Sequence, residues 1–560
     1  MIQASLTPPV VRIPSLTGVF SLCVFPSRAP WRQCWRPTLR TPVVGFNYTE
    51  QYCRLPHDKP FVAADYVAVI VFSVLGILTF ISTAYELRHI FILKREPSQA
   101  SVLLRTCSLY SNTRRLLTFD RPRALDCLDG IRSLSILLII VFHTFYLYFY
   151  SARNVANSFE VHQWLRKKQA VWILSGDIGV DSFFTLSGLL LVYTSVNKMT
   201  QTSLLRSLPW FYLSRFLRLF PLLAAAVLLQ ASLIHRVADG PGWHGMAKLV
   251  GNCRRYWWSA LLHVQNIVNL RHTCVPVSWY LSVDMQLHVV SPLVLFWVLG
   301  SRRAAWAALA AALLASLAAT LAFVFPFHVF SISLLAQEEL MGDIGDYWIY
   351  CYCNLFVRSP PFFIGMLFGY VLHVFKGEKM KLPQWVIITC HALSFATFFY
   401  VVYIVHPCMQ ADWDNHFADS MNNSFRRSGW SLALCWMILA CVHGYGGPVN
   451  WFLSLRLWKF VARISYAMYL YHYLIQKINT TAAFTPVYFN METLFKTFAT
   501  DLVYTVIIST TMCVFIEEPA LTLQKMLLQG VSKQQRQEHE EKNDPMPLDE
   551  MKDVNVEMKC

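Results

Sequence analysis

One predicted helix carries an arginine and a histidine whose spacing suits acid–base chemistry. In the run LDCLDGIRSLSILLIIVFH, residues 125–143, Arg132 and His143 are eleven positions apart. That is almost three α-helical turns, so both lie on one face, roughly 16 Å apart along the axis. A histidine can serve as general base because its pKa is near neutral, and the planar, permanently charged arginine suits phosphate. Asp129 lies about forty degrees off the same stripe. The alternative is a histidine bonded to a neighbouring helix.

A second helix carries a carboxylate and a histidine on one face. In WYLSVDMQLHVVSPL, Asp284 and His288 are related as i and i+4. A carboxylate near the membrane edge needs a partner, because an unpaired buried charge costs several kcal/mol. We expect His143, Arg132 or His288 to supply that partner.

Other ionisable side chains fall within or beside apolar runs, where they are costly and therefore candidate functional groups. Arg215 and Arg218, one turn apart in FYLSRFLRLFP, predict either an anion site or a cytoplasmic edge. Asp181 precedes Ser187-Gly188, a pair that favours close helix packing. His472 lies in ISYAMYLYHYLI and Glu517 in VFIEEP. No His, Cys or Asp set has metal-ligand spacing, so we predict no metal site.

The elements that must position these side chains are membrane helices. The 560-residue chain is 55% hydrophobic and only 14% charged, with a mean hydropathy of +0.40. Soluble domains have about 25% charged residues. The apolar blocks are about twenty residues long, as helices that cross a bilayer require, whereas barrel strands are about half as long. We predict an all-α polytopic membrane protein with about eleven transmembrane helices: 65–85, 131–150, 176–196, 215–235, 279–299, 304–325, 360–375, 384–405, 430–446, 462–478 and 499–517.

Charge predicts the orientation. The segment 86–124 is rich in arginine and lysine, which places it in the cytoplasm and the N-terminus outside. Alternation then places the charged tail 521–560, which we expect to be disordered, in the cytoplasm. The net charge of +15 reflects these loops better than a nucleic-acid partner, because no zinc-finger spacing or phosphate loop is present.

Sequons and cysteines indicate a protein of the secretory pathway, in the plasma membrane or the endoplasmic reticulum. Asn47, Asn422 and Asn479 begin Asn-X-Ser/Thr matches in segments predicted to lie outside, so each is a candidate glycosylation site. Cys253 and Cys274 share one predicted outside loop. They either form a disulfide, as an oxidising lumen favours, or remain free thiols.

Six sequence motifs, and their order along the chain, resemble those of a known protein family. LDGIRSLSILLIIVFH, GVDSFFTLSG, FYLSRFLRLFP, WYLSVDMQLHVVSPL, ISYAMYLYH and FIEEP occur in the order of the membrane acyltransferase-3 family. The resemblance covers about residues 120–520. YWWSALLHVQNIV, a following cysteine, and an extra span preceded by NYTEQYC resemble its animal branch, the nose-resistant-to-fluoxetine-like proteins.

The resemblance implies roles for individual residues. The family's Arg-X10-His motif falls on Arg132 and His143, its acidic position on Asp284, its Y-L-X-H histidine on His472 and its E-X-P acid on Glu517. Here Asp stands where the bacterial pattern has Glu, and His288 replaces a usual aromatic residue.

The resemblance also implies a division of the chain. The acyltransferase-like domain would comprise residues 125–520, a ten-helix region preceded by the span 65–85 and the basic loop 86–124. The animal branch usually begins with a large Cys-rich extracellular domain. We interpret the Pro/Arg-rich arm 1–64 as a remnant of that domain.

The function implied is acyl transfer from acyl-CoA, a co-substrate rather than a resident cofactor, to a hydroxyl of a lipid, sugar or other small molecule. His143 would take the hydroxyl proton, Asp284 would orient the histidine, and Arg132, Arg215 and Arg218 would hold the donor's phosphates. The alternative is a non-enzymatic transporter or uptake protein for lipids or xenobiotics on the same fold.

Overall fold

The computed structural model describes residues 61–95, 101–119, 125–150, 155–196, 198–326, 347–376, 380–410, 412–413 and 415–527. Asn47, most of the arm 1–64 and the tail from residue 528 lie outside these ranges. Within them, every regular element is a helix, apart from a single bridge between Val155 and Val487.

Each predicted span corresponds to one long helix. In chain order these helices are α1 (Ala63–Leu87), α2 (Cys127–Phe145), α3 (Gly179–Ser195), α4 (Gln201–Ala231), α5 (Trp279–Val298), α6 (Arg302–Val324), α7 (Leu355–Val374), α8 (Gln384–Tyr403), α9 (His416–Val442), α10 (Arg456–Ala482) and α11 (Met491–Met512).

Shorter elements connect them. The remaining α-helices are Val102–Arg105, Leu109–Leu117, Ser158–Leu165, Val171–Leu174, Ile234–Val237, Trp243–Leu261, Gln265–Val268, Val405–Cys408 and Gly447–Leu453. Wide π-type turns occupy Arg88–Ile92, Tyr146–Tyr150, Tyr347–Tyr352 and Cys513–Glu517. Tight 3₁₀ turns occupy Lys168–Ala170, Gly176–Ile178, Leu270–His272 and Pro276–Ser278.

The protein is an all-α, multi-pass membrane protein. In the described part of the chain, nine helices are long and apolar enough to cross a bilayer, or ten if α9 and the bent-off helix Gly447–Leu453 form one span. The predicted total of eleven transmembrane helices also included α10, which is not among these nine or ten candidates. More than half of α10 is buried, and a helix surrounded by other helices need not be apolar on every face.

The centre of the bundle depends on glycines that bring helix backbones together. A Cβ at Gly188 of α3 would lie 2.0 Å from the carbonyl oxygen of Phe362 in α7. Conversely, a Cβ at Gly365 of α7 would lie 2.1 Å from the carbonyl oxygen of Thr185. Ser187-Gly188 therefore provides the close packing that its small side chains predict.

Helix α4 is longer than predicted. It begins at Gln201, where the Thr200 hydroxyl accepts a hydrogen bond from the Ser203 amide, rather than near residue 215. Arg215 consequently lies in the middle of a 31-residue helix and not at its end. The polar segment before residue 215 hid this first half, because hydropathy finds apolar runs and not helix starts.

Candidate active site

Two histidines from different helices meet inside the bundle. Nδ1 of His143 on α2 lies 3.1 Å from Nε2 of His472 on α10, and the ring centroids are 5.1 Å apart. His472 is completely buried, whereas His143 is half-buried. Tyr473 packs edge-on against the His143 ring at 5.5 Å. The predicted general base thus has a second imidazole as its direct partner.

The hydrogen bonds determine which nitrogens carry protons. Nδ1 of His472 lies 2.9 Å from the carbonyl oxygen of Met468, which can only accept, so this nitrogen carries the hydrogen. We therefore assign Nε2 of neutral His472 as an acceptor, and the hydrogen between the two rings to Nδ1 of His143. In this tautomer Nε2 of His143 carries the lone pair, while the Ile139 carbonyl, one turn earlier on α2, is a further hydrogen-bond partner of the His143 ring. Nε2 is thus the nitrogen that can accept a proton.

Two tyrosines connect the histidine pair to a second polar centre. The Tyr469 ring lies 5.9 Å from His472 and 5.2 Å from Tyr280. Tyr280 is one turn before Asp284 on α5 and lies within electrostatic range of Arg132 and Arg215. Arg132 is thus within electrostatic range of Tyr280, which ring contacts link through Tyr469 to the histidine pair.

The second centre joins three helices through Asp284. The Arg215 guanidinium on α4 forms an ion pair with Asp284, and the Ser187 hydroxyl on α3 donates to the same carboxylate at 2.8 Å. Arg215 also donates to the Ser187 oxygen at 2.9 Å. Asp284 thus has a charged partner in Arg215, which reaches the carboxylate from mid-helix and was not among the expected partners His143, Arg132 and His288. His472 instead contacts His143.

The remaining predicted residues have separate surroundings. His288 stacks on Phe211 at 4.3 Å and leaves Nε2 buried without a hydrogen bond among the described residues. Glu517 accepts from the Cys513 thiol at 2.9 Å and lies within electrostatic range of Arg218, which is exposed. Asp129 is buried near the start of α2.

Asp181 belongs to a buried ion-pair cluster at the start of α3. One terminal nitrogen of Arg358 contacts both carboxylate oxygens, at 2.7 and 2.9 Å, and Arg427 lies 3.8 Å away. Asp177 pairs with Arg426 at 3.3 Å. This cluster ties α3, α7 and α9 together, so Asp181 supports the bundle, and it also lies within electrostatic range of Tyr280. The sequence analysis missed Arg358, because it sits just before a predicted span.

A buried carboxylate that the sequence analysis overlooked lies beside the histidine helices. Asp501 on α11 accepts hydrogen bonds from Thr144 and Tyr148 at 3.0 Å each and from Asn479 at 3.2 Å. Gln476, one turn after His472, donates to Thr144 at 2.9 Å. The sequence feature that could have identified Asp501 is a single aspartate within an apolar predicted span.

Two predicted glycosylation sites are engaged in helix packing. The Asn479 amide nitrogen, the atom that a glycan would modify, donates to Asp501. Asn422 is only 9% exposed, and its side chain accepts from the Tyr400 hydroxyl at 2.6 Å. A sequon describes local sequence and carries no information on burial. Both asparagines are thus held in the folded bundle, and glycosylation at either position stays a prediction.

The segment between α4 and α5 folds back into the bundle. Its helix, Trp243–Leu261, runs antiparallel to the second half of α4, where the Arg254 side chain donates to the Ala231 carbonyl at 2.9 Å. A disulfide joins Cys253 to Cys274. At the innermost point, the His263 ring lies 6.1 Å from Phe216, next to Arg215. Burial lowers the pKa of His263 to about 4, so this imidazole is neutral at pH 7.

This architecture defines a polytopic membrane protein with a polar interior built around a histidine pair and an Asp–Arg pair. The acyltransferase domain family called acyltransferase 3 matches residues 125–516. The chain belongs to this family. In the described ranges, no group of three or more His, Cys, Asp or Glu side chains could hold a metal ion.

Individual relatives agree with this family membership. Over 403 residues, 68% of this chain and 49% of the relative, the chain is 25% identical to nose resistant to fluoxetine protein 6 of Caenorhabditis elegans. It is 21% identical to a Staphylococcus aureus (strain COL) protein named "Putative O-acetyltransferase", over 65% of this chain and 53% of that protein. The chain thus spans about half the length of the curated relatives it matches. No solved structure matches it.

Proposed function

We propose that this protein is an O-acyltransferase that moves an acyl group from acyl-CoA to a hydroxyl of a lipid, sugar or other small molecule, with His143 as the general base. The observation that carries the proposal is the histidine pair, in which the His143–His472 hydrogen bond assigns the lone pair of His143 to Nε2. The family membership and the O-acetyltransferase name of the bacterial relative support the reaction class.

The proposed reaction conserves protons. Nε2 of His143 takes the proton of the acceptor hydroxyl as that oxygen attacks the thioester carbonyl. When the tetrahedral intermediate collapses, the carbon–sulfur bond breaks and the departing sulfur takes the proton from His143. The products are an ester and free CoA, and His143 regains its original state.

His472 has the role that a carboxylate plays in hydrolytic triads. Its Nε2 accepts from Nδ1 of His143 and so holds the base in the tautomer that exposes Nε2. When His143 becomes an imidazolium, the same hydrogen bond becomes charge-assisted and stronger. A neutral histidine stabilises the imidazolium less than a carboxylate would. His472 therefore contributes more by orienting His143 than by stabilising its positive charge.

Arginines near the second polar centre suit the donor's phosphates. Arg132 lies roughly 16 Å along α2 from His143. CoA carries its thioester at the end of a long pantetheine arm, so its phosphates and its reacting carbonyl are widely separated. Arg218 is exposed, whereas Arg215 already binds Asp284 and Ser187. We therefore assign phosphate binding to Arg132 and Arg218 and a positioning role to Arg215.

The proposed orientation places the donor on the cytoplasmic side, because the basic segment 86–124 favours the cytoplasm. Along α2, His143 lies about three helical turns beyond Arg132, in the direction away from the cytoplasmic side. Acyl transfer toward a luminal or extracellular acceptor would follow from this arrangement.

The test is acyl transfer from labelled acetyl-CoA and long-chain acyl-CoA in membranes that contain the full chain. Label entering lipid or sugar with wild type, but not with His143→Ala at equal expression, supports the enzyme and identifies the acceptor class. If no donor gives transfer while the protein is folded, the transferase proposal fails. Uptake of labelled lipid into cells that depends on the protein would then favour the transporter alternative.

A further inference from the structure

The innermost residue of the 243–278 hairpin, defined as the fold-back segment between α4 and α5, has an unusual combination of properties. His263 has a backbone φ of 56°, in the left-handed region that costs most residues energy. The side chain is only 3% exposed. Both ring nitrogens are buried without a hydrogen-bond partner among the described residues. A strained backbone that delivers an unsatisfied polar group into the interior is typical of functional positions.

The hairpin holds His263 firmly in this position. Gln286 on α5 donates to the His263 carbonyl at 3.0 Å and pairs with the Asn266 side chain at 2.8 and 3.1 Å. Further out, the Cys253–Cys274 disulfide joins the two limbs of the hairpin. His263 is therefore fixed from both sides, and its unsatisfied nitrogens are not a consequence of a loose loop.

The surroundings of His263 are polar and belong to the second centre of the site. The imidazole lies within electrostatic range of Arg215 and Asp284. Nε of Arg215 is a further buried nitrogen with no hydrogen-bond partner among the described residues. Several unsatisfied donors and acceptors thus surround the Arg215–Asp284 pair.

We propose that His263 binds the amide- and hydroxyl-bearing pantetheine arm of the acyl-CoA donor. A neutral imidazole offers one N–H donor and one lone pair, which matches an amide or a hydroxyl, groups that both donate and accept. The acceptor hydroxyl is assigned elsewhere, because it must lie within hydrogen-bond reach of His143, which contacts His472 and Tyr473. His263 instead lies beside Phe216, within electrostatic range of the Arg215–Asp284 pair. The inference rests on the proposed transferase function and adds a residue from the hairpin to it.

The test replaces His263 by an apolar ring of similar shape. In His263→Phe the unsatisfied nitrogens disappear, so the melting temperature of the free protein is expected to equal or exceed that of wild type. The KM for acyl-CoA is expected to rise tenfold or more. CoA should stabilise this variant less than wild type, whereas ADP, which has phosphates but no pantetheine arm, should stabilise both equally. The matched control, His272→Leu, changes an exposed histidine of the same hairpin and should leave all these values unchanged.

His263→Asn provides a second variant if the phenylalanine is not accommodated. Asparagine tolerates the left-handed conformation and keeps a donor and an acceptor, so an intermediate KM is expected. An unchanged KM and an unchanged CoA effect in His263→Phe would overturn the inference, as would a clearly lower melting temperature with normal KM. If wild type binds CoA in this His263-dependent manner but transfers no acyl group, the transferase proposal fails instead.

Discussion

Nδ1 of His143 and Nε2 of His472 lie 3.1 Å apart, although 329 residues separate them in the chain. Among the described residues, the hydrogen bonds of the two rings run to each other and to backbone carbonyls, and none runs to a carboxylate. The pair therefore differs from a hydrolytic triad in having a neutral second member, whose own Nδ1 is fixed by the Met468 carbonyl at 2.9 Å. Orientation, not charge compensation, is the main contribution we assign to His472.

The partner role of His472 predicts different effects for two substitutions. His472→Leu removes the acceptor and should lower kcat by about 10- to 100-fold, because a hydrogen bond to a charged group contributes about 1.5–3 kcal/mol. His472→Gln keeps an acceptor oxygen and should retain more of the rate. Steady-state kinetics with acyl-CoA checks this, with KM for the donor unchanged in both variants. Equal kcat for the two variants would show that the acceptor atom is irrelevant.

Arg218 should contribute to binding of the acyl-CoA donor and not to the rate of the chemical step. Removing its charge in Arg218→Ala is expected to raise the KM for acyl-CoA several-fold, because an exposed arginine that binds phosphate contributes mainly to binding. Arg303→Ala, at an equally exposed arginine at the start of α6, is the matched control. A lower kcat with unchanged KM in Arg218→Ala would contradict the phosphate-binding role.

Removing one partner of the Arg215–Asp284 ion pair should destabilise the protein more than removing both. Asp284→Leu leaves the Arg215 charge without its partner and should lower the free energy of unfolding by about 3–5 kcal/mol. In the double variant Arg215→Met/Asp284→Leu the free energy of unfolding should fall by less, because no buried charge remains unpaired. Denaturation of the purified proteins in detergent measures both values. Additive losses in the double variant would mean that the two side chains act independently.

Sequence alone predicted helix faces well and partners across the bundle poorly. The eleven-residue spacing correctly places Arg132 and His143 within one helix, and small residues at Ser187-Gly188 predict close packing. Periodicity does not reveal which neighbouring helix a face meets. The contact of His143 with His472, rather than with Asp284, depends on the arrangement of α2, α5 and α10.

Hydropathy also conceals polar elements that fold into a membrane domain. The helix of the 243–278 hairpin contains several charged residues, so its sequence predicts an outside loop, yet it carries His263 to the level of Phe216. Helix α10, which bears both His472 and Gln476, was predicted as the span 462–478, yet it is not among the described helices that are apolar enough to cross a bilayer. Such elements are stabilised by contacts with other helices, which a single-segment pattern does not encode.

The most direct test of the account is the initial rate of acyl transfer by purified wild type and His143→Gln, with melting temperatures measured on the same samples. Glutamine keeps a polar side chain of similar length but cannot act as a base near neutral pH. The account predicts a 10²- to 10⁴-fold lower rate for His143→Gln at a closely similar melting temperature. Equal rates for the two proteins would show that His143 is not the base.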